Sequence, residues 1–532
     1  MFLRIASIFM LALAGWLSPS LKAATKPNVV FILCDDLGYG DVKCFNPEGK
    51  ILTPQMDAIA ARGMKFTDAH TSSSVCTPTR YGVMTGRYNW RSKLQRGVLG
   101  GLSPRLIEPG RTTVASFLKS QGYATACVGK WHLGMDWVKL PGKQVTELNI
   151  ESPEQVNSVD YTQPIINGPN SVGFDYYYGI SASLDMVPYC FIENDRVTEV
   201  PTATLKMPMN KGKGPATTRE GPAAPGFDGV QVLPELTKKS VKFIQDQARG
   251  GKPFFLYVPL ASPHTPVLPS PEWQGRSGLN LYADFVMQTD DAIGQIARAL
   301  QEAGLQENTL LVVTSDNGCS PQADYPTLLA KGHNPSGPLR GTKADIYEGG
   351  HRVPFIVQWP AVAKAGSVYE HPICLVDFMA TCADALGIAL PENAAEDSVS
   401  LLPALKGGNQ PVREAVVHHS ITGAFSIRQG SWKLELCPGS GGWSDPRPGT
   451  EPAGAPRLQL FDLAADPAET HNVQAGQPEV VARLTKLLEK YVADGRSTPG
   501  APQPNTVSPD IQQGLKPTPP AKKKNPPKNA GA

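Results

Sequence analysis

Residues 28–41 read NVVFILCDDLGYGD. The run NVVFIL is short, apolar and rich in β-branched residues, and it shows no polar alternation, which suits a strand buried on both faces. It stops at two adjacent acids, Asp35 and Asp36. The segment that follows, TPQMDAIAARG (53–63), spaces Met56, Ile59 and Ala60 for one face of a helix, with Gly63 at its end. The same design recurs along the chain. RTTVASFLKSQGY (111–123) is helical and leads into a strand ATACVG that ends in KWHLG. LTKKSVKFIQDQARG (236–250) is helical, and KPFFLYVPL (252–260) is a strand ending in ASPHTP. FVMQTDDAIGQIARALQEAG (285–304) is a long amphipathic helix before the strand NTLLVVTSDNG (308–318). Strand and helix in alternation predict an α/β fold, a large and mainly parallel sheet between helices. Ligands of such sheets bind at the carboxyl ends of the strands, where the chemistry-bearing residues of this chain gather.

After about residue 400 the character changes. FSIRQGSWKLEL (425–436) predicts a hairpin turning at Gln429-Gly430-Ser431, and PEVVARLTKLLEKYVADG (478–495) predicts a terminal helix. The expected organisation is a catalytic domain over 24–400, a smaller α+β subdomain over 401–496, and a disordered Pro/Lys-rich tail over 497–532. Two Gly/Pro-rich stretches, 138–172 and 200–230, predict long loops. Residues 1–23 carry Arg4 and the apolar run ASIFMLALAGWL, the pattern of a secretory signal, so the protein is expected to be exported, periplasmic or secreted. That run is too short for a convincing membrane span. A net charge of +2 with 18% charged residues points to neither nucleic acid nor a membrane surface. The nine cysteines show no C-x-x-C and no zinc spacing, and an odd number leaves at least one outside intrachain pairs, with Cys76 the obvious candidate.

Two pairs of oxygen-bearing side chains follow buried strands, the acids Asp35-Asp36 and the acid–amide pair Asp316-Asn317. Adjacent acids repel unless a cation neutralises them. Oxygen ligands without sulfur or imidazole suit a hard divalent ion, Ca²⁺ or Mg²⁺, although each pair alone also fits an ordinary strand-end turn. Five basic residues, Arg80, Lys130, His132, His264 and Lys343, lie in the Gly- or Pro-punctuated segments TPTRYG, GKWHLG, SPHTP and RGTKAD. Several cations beside a metal suit an oxyanion substrate, and the imidazoles can move protons near neutral pH. Taken singly, each also has a plain structural use as an ion-pair partner, a half-buried histidine or a solvated lysine.

Together these segments resemble the formylglycine-dependent sulfatases of the alkaline-phosphatase superfamily, the arylsulfatase type. CTPTRYGVMTGR (76–87) is similar to their signature C-x-P-S-R followed by L-T-G-R. DDLGYGD, GKWHLG, SPHTP, TSDNG, RGTKADIYEGGHRVPFIVQWP and LQLFDLAADPAETHNV resemble further family blocks, in the same order. The resemblance spans roughly 27–495. Thr79 stands where serine is commoner, and Val83-Met84 replace a leucine pair.

The resemblance implies that a maturation enzyme oxidises Cys76 to Cα-formylglycine, reading Pro78 and Arg80 beside it. An aldehyde hydrate offers two hydroxyls on one carbon: one takes the sulfate from its ester, and the other expels it by C–O cleavage. By the same resemblance Asp35, Asp36, Asp316 and Asn317 bind the metal, Ca²⁺ in most relatives, with the Cys76-derived group beside it. Arg80 and Lys130 hold the hydrate, His132 acts as base in its collapse, and His264 with Lys343 contacts sulfate and protonates the leaving alcohol. The implied substrate is a sulfated carbohydrate of galactose or N-acetylgalactosamine type. Other readings are a phosphodiesterase or phosphonate monoester hydrolase of the same superfamily, an inactive glycan-binding relative, and a thiol enzyme with a Cys-His pair. The family blocks assign no clear role to His333, His351, His418 and His419, although His333 and the 418–419 pair are candidates for the wall of a substrate pocket.

Overall fold

The computed structural model describes residues 26–143, 153–210 and 215–516. The signal-like segment 1–23 lies outside the described residues. NVVFILC forms β1 (Asn28–Cys34), every residue of it buried. Its neighbours confirm the parallel expectation: β3 (Ala124–Lys130), β4 (Tyr176–Ile180), β7 (Phe254–Pro259) and β8 (Thr309–Ser315) run parallel to it, side by side. With the short strands β2 (Met64–Phe66), β5 (Ile192–Glu193), β6 (Arg196–Val197), β9 (Phe355–Gln358) and β10 (Ser367–Tyr369) they form a ten-stranded mixed sheet. Its order is β10-β2-β9-β8-β1-β7-β3-β4-β5-β6. Antiparallel pairing enters at both flanks, β8 with β9 and β4 with β5. The central strands have no exposed face. Phe31, Ile32 and Leu33 are wholly buried, and each such side chain contributes roughly 1.5–3 kcal/mol.

The helices expected from the sequence are present as α1 (Pro54–Ala61), α3 (Val114–Ser120), α4 (Val232–Gly250) and α5 (Leu281–Glu302), and a helix the sequence reading did not include, α2 (Cys76–Thr85), lies between the first two. A ladder of antiparallel strands follows: β11 (Val416–His419), β12 (Phe425–Gln429), β13 (Trp432–Glu435) and β14 (Gln459–Asp462). The hairpin turns at Gly430-Ser431, with Gln429 paired to Trp432 and Gly430 at φ +61°, the left-handed region that glycine enters without strain. The terminal helix is α6 (Pro478–Ala493), whose Leu484, Leu488 and Tyr491 pack on this ladder together with Tyr88 and Trp90 from the first domain.

Three expectations need adjustment. The main core continues through Leu401, Leu402 and Leu405, so the packing boundary falls after residue 405 rather than at 400. The stretch 200–230 contains two small hairpins, Ala203–Leu205 with Gly221–Ala223 and Pro208–Asn210 with Pro215–Thr217. The first twenty residues of the expected disordered tail are held in place as far as Lys516. Arg87 donates to the Pro504 carbonyl at 2.5 Å, Arg91 to Asn505 Oδ1 at 2.9 Å, and Thr506 Oγ1 to Glu108 at 2.7 Å. These buried arginines supply donors that a prolyl-rich strand of backbone carbonyls can satisfy. Residues 517–532 lie outside the described residues.

Candidate active site

All ten residues named for the site meet at one place, the carboxyl ends of β1, β3, β7 and β8. Asp35 and Asp36 follow β1, Lys130 ends β3 with His132 two residues on, His264 lies in the loop after β7, and Asp316-Asn317 follow β8. Helix α2 begins at Cys76, so the peptide N–H groups of its first turn face the same centre, the end of a helix that favours negative charge. Arg80 sits one turn further along α2.

The ion pairs are short and dry. Lys130 Nζ donates to Asp35 Oδ2 at 2.6 Å. The Arg80 guanidinium donates twice to Asp316 Oδ2, at 2.9 and 2.7 Å, and to the Lys130 carbonyl at 2.9 Å. Lys343 Nζ lies 2.6 Å from Asp36 Oδ1, and His264 Nε2 lies 3.6 Å from Asp36 Oδ2. Asp35, Arg80, Lys130 and His132 are completely buried, whereas His264 is 8% exposed and Lys343 5%. The opening to solvent is therefore on the side of His264 and Lys343, where a substrate would enter.

Asp36 has φ +66°, His132 φ +56° and Ala344, next to Lys343, φ +82°. Left-handed backbone at non-glycine residues is strained, and here it turns functional side chains inward. The Thr79 hydroxyl donates to the Ser73 carbonyl at 2.9 Å, which ties the first turn of α2 to the segment before Cys76.

Electrostatics separate the roles. Burial opposes charge on Asp35, but Lys130, His264, Arg80 and Lys343 outweigh it and hold its carboxyl well below the usual range. Burial and the charge of Asp35 push Asp316 up to about 6 against Arg80 and Lys130. Burial, then Lys130 and Arg80, hold His132 well below its ordinary value, so its ring is neutral at pH 7. Its Nε2 donates to the Leu99 carbonyl at 2.7 Å, which leaves Nδ1 as a buried lone pair without a partner. Burial also raises the Cys76 thiol, in spite of Lys130 and Lys343. A thiol enzyme needs the thiolate, and this environment disfavours it.

The donor set fits a hard divalent cation. Asp35, Cys76 and Asp316 each offer an atom within 4.8 Å of the others. Asp35 Oδ1 and Asn317 Oδ1 are buried oxygens without hydrogen-bond partners, and Asn317 turns its amide nitrogen to Asp36 Oδ1 at 2.7 Å. Partnerless buried oxygens beside three carboxylates are the donor chemistry that a hard divalent cation takes. The sulfur of Cys76 stands where the oxygens of a formylglycine hydrate would be.

Histidines outside this centre are not pocket walls. His333 is buried, bonded to Asp41 at 2.8 Å and to the Lys50 amide at 3.1 Å. It buttresses the site from behind: Asp41 also accepts from the hydroxyl of Tyr282, which lies 3.1 Å from the Asp36 carbonyl. His351 and His418 stack with ring centroids 3.8 Å apart beside His70, at the seam between the two sheets. His419 contacts Asn89 Nδ2 at 3.1 Å and is also buried. Sequence reasoning passed over Ser72, Ser73 and Ser74, whose buried hydroxyls lack partners just ahead of Cys76. Only their run of three before the cysteine could have drawn attention. None of the nine cysteines is paired, so Cys76 is one free thiol of nine.

A sulfatase family profile matches residues 27–388. An N-acetylgalactosamine-6-O-sulfatase of Bacteroides thetaiotaomicron is 33% identical over 87% of this chain and 93% of its own length. Human arylsulfatase A is 31% identical over 92% of each chain. A solved 6S-sulfatase, from work on glycosaminoglycan metabolism by Bacteroides thetaiotaomicron, superposes with a TM-score of 0.73 at 32% identity, covering 88% of this chain and 99% of its own. A phosphonate monoester hydrolase of Agrobacterium radiobacter, at 18% identity and a TM-score of 0.54, shares the fold alone. Fold, ordered motifs and relatives agree, and the chain belongs to the sulfatase family, enzymes that hydrolyse sulfate esters.

Proposed function

We propose that this sulfatase is exported and removes sulfate from a carbohydrate of galactose or N-acetylgalactosamine type, through a formylglycine made from Cys76 and a bound calcium ion. The observation that carries the proposal is the meeting of Cys76, three carboxylates, Asn317 and five basic side chains at the ends of four parallel strands. The substrate class rests on the 33% identical relative named for N-acetylgalactosamine 6-sulfate. Among the described residues no helix is long and apolar enough to cross a membrane.

Asp35, Asp36, Asp316 and Asn317 would hold the cation, which supplies a positive centre for sulfate oxygens. The hydrate made from Cys76 supplies a nucleophile with a second hydroxyl for release, so a maturation enzyme is a required partner. The remaining work belongs to the chain's own side chains. Arg80 and Lys130 are fixed by Asp316 and Asp35, and they offset negative charge at the start of α2 without reorganising. His264 and Lys343, at the opening, face the ester and its leaving oxygen. A protonated group there would deliver a proton to the departing alcohol. His132 is neutral with a free Nδ1, the state needed to withdraw a proton from the nucleophilic residue's second hydroxyl.

The test compares release of sulfate from N-acetylgalactosamine 6-sulfate and galactose 6-sulfate with turnover of a phosphodiester and a phosphonate monoester, on matured protein. Faster sulfate release supports the proposal. Much faster phosphodiester or phosphonate turnover would replace it with the sister activity, and tight glycan binding without turnover would mark an inactive relative.

A further inference from the structure

A groove of about 1010 Å³ runs between the 96–97 segment, the loops of the C-terminal sheet and residues 513–516. Its wall is tied to the catalytic centre in two places. Gly97 donates its amide to the Ile421 carbonyl at 2.8 Å, and Ile421 donates to the carbonyl of Ala344, the neighbour of Lys343, at 3.1 Å. Three residues beyond Arg96, Leu99 holds His132 Nε2 on its carbonyl and donates its amide to Thr77 Oγ1 at 3.2 Å. The groove wall is thus joined by hydrogen bonds to the segments that carry His132, Thr77 and Lys343.

Its chemistry is cationic. Arg96, Arg457 and Lys516 line it, against one acid, Glu451. Arg96 is exposed and makes no hydrogen bond or ion pair among the described residues. Arg457 donates to the Leu515 carbonyl at 3.1 Å and has no acid partner among the described residues. Glu451 is occupied by the Gly449 amide at 2.8 Å, and Lys516 pairs with Asp510. Two unpaired guanidiniums in one groove favour a ligand with repeated anionic groups, because each forks onto a sulfate or carboxylate. The volume is at the upper end of what a single small ligand needs. Glycines 441, 454 and 514 also line the groove, so that part of its wall is backbone without side chains, a surface that sugar hydroxyls can approach closely.

We infer that this groove is a subsite for the further units of an anionic oligosaccharide, gripped by Arg96 and Arg457 while its terminal or internal sulfated sugar occupies the catalytic centre. The inference rests on the sulfated-carbohydrate reading above and adds to it that chain length matters. A disaccharide and a tetrasaccharide bearing N-acetylgalactosamine 6-sulfate, the monosaccharide and an aryl sulfate are assayed with wild type and with Arg96→Ala/Arg457→Ala. Expected is a kcat/KM for the tetrasaccharide about tenfold above that for the monosaccharide, carried mainly by KM and shrinking at high salt. The double variant removes that advantage and leaves monosaccharide and aryl sulfate kinetics unchanged. Equal kcat/KM for the mono- and tetrasaccharide in wild type would overturn the subsite while leaving the sulfatase reading intact. So would a double variant that keeps the length preference, or one that weakens every substrate alike. Cleavage of the aryl sulfate with no cleavage of any sulfated sugar would instead overturn the carbohydrate reading on which the subsite depends.

Discussion

Lys433 is the test of how the two sheets are joined. It lies on β13 with no exposed surface, and its Nζ reaches Glu469 at 2.6 Å, the Ile346 carbonyl at 2.8 Å, and Glu348 and Glu435 at 3.2 Å. Substituting Lys433→Met keeps the length of the side chain and removes its charge. Glu348 still has Arg352 and Arg428, both at 3.5 Å, and burial already raises the Glu435 carboxyl well above its ordinary value, which lessens the charge it leaves behind, so neither bears the main loss. Glu469 does: burial already raises its carboxyl, Lys433 is the cation that opposes this, and its remaining donor is the Glu348 amide at 2.7 Å. Breaking a buried pair and leaving one charge behind costs about 3–5 kcal/mol. The cost depends on pH. In the variant the folded-state pKa of Glu469 rises further above its unfolded value, so the folded state binds more protons and the deficit shrinks as pH falls from 8 to 6. Urea unfolding at both pH values measures this. Lys433→Met/Glu469→Gln, which removes both charges, should recover most of the loss. A deficit below about 1 kcal/mol, an equal deficit at both pH values, or a double variant as weak as the single would refute the charge argument.

Three further outcomes follow from the same structure. His132→Gln removes the neutral ring whose Nδ1 stands unpartnered, and kcat should fall by about 10²–10⁴ with the thermal midpoint little changed; an unaltered kcat would remove His132 from the reaction. If the proposed cation is required, chelation should abolish activity, and Asn317→Ala, which deletes an orphaned buried oxygen, should weaken calcium binding in calorimetry; full activity in chelator would dispose of the metal. Burial lowers His419 to about 4, so acid is taken up by the unfolded chain first and stability is lost as pH falls from about 6.5 towards 4, by up to about 1.4 kcal/mol per unit. His419→Gln should flatten that slope in urea unfolding, and an unchanged slope would count against the assignment.

Much of this was legible in the chain because the deciding features are local. NVVFIL, ATACVG, KPFFLYVPL and NTLLVVTS are unbroken apolar runs, and a strand buried on both faces leaves that trace whatever its neighbours are. Each run ends in the residues it delivers to the site, so the strand pattern and the acid and base motifs point to the same place. Short flanking strands such as Met64–Phe66 leave no such trace, because three residues hold too little pattern to distinguish from a turn. The seam between the sheets was hidden for another reason. Arg428 closes on Asp68 from 360 residues away, and Lys433 reaches back 82 residues to His351. Nothing in DAHTSS or VVHHS announces that partnership, and so histidines that serve the seam, or stand behind Asp41, resembled candidates for a pocket. The prolyl tail failed as an expectation because composition alone does not report the waiting donors of Arg87 and Arg91.

The central claim is that Cys76 does not act as a thiol. Its most direct test is the mass of the tryptic peptide 66–80 from protein made in a host that matures sulfatases. The account predicts a peptide that has lost one sulfur and two hydrogens and gained one oxygen, with sulfate-ester turnover rising in step with the converted fraction. An unmodified cysteine peptide from protein that hydrolyses sulfate esters at full rate would contradict it.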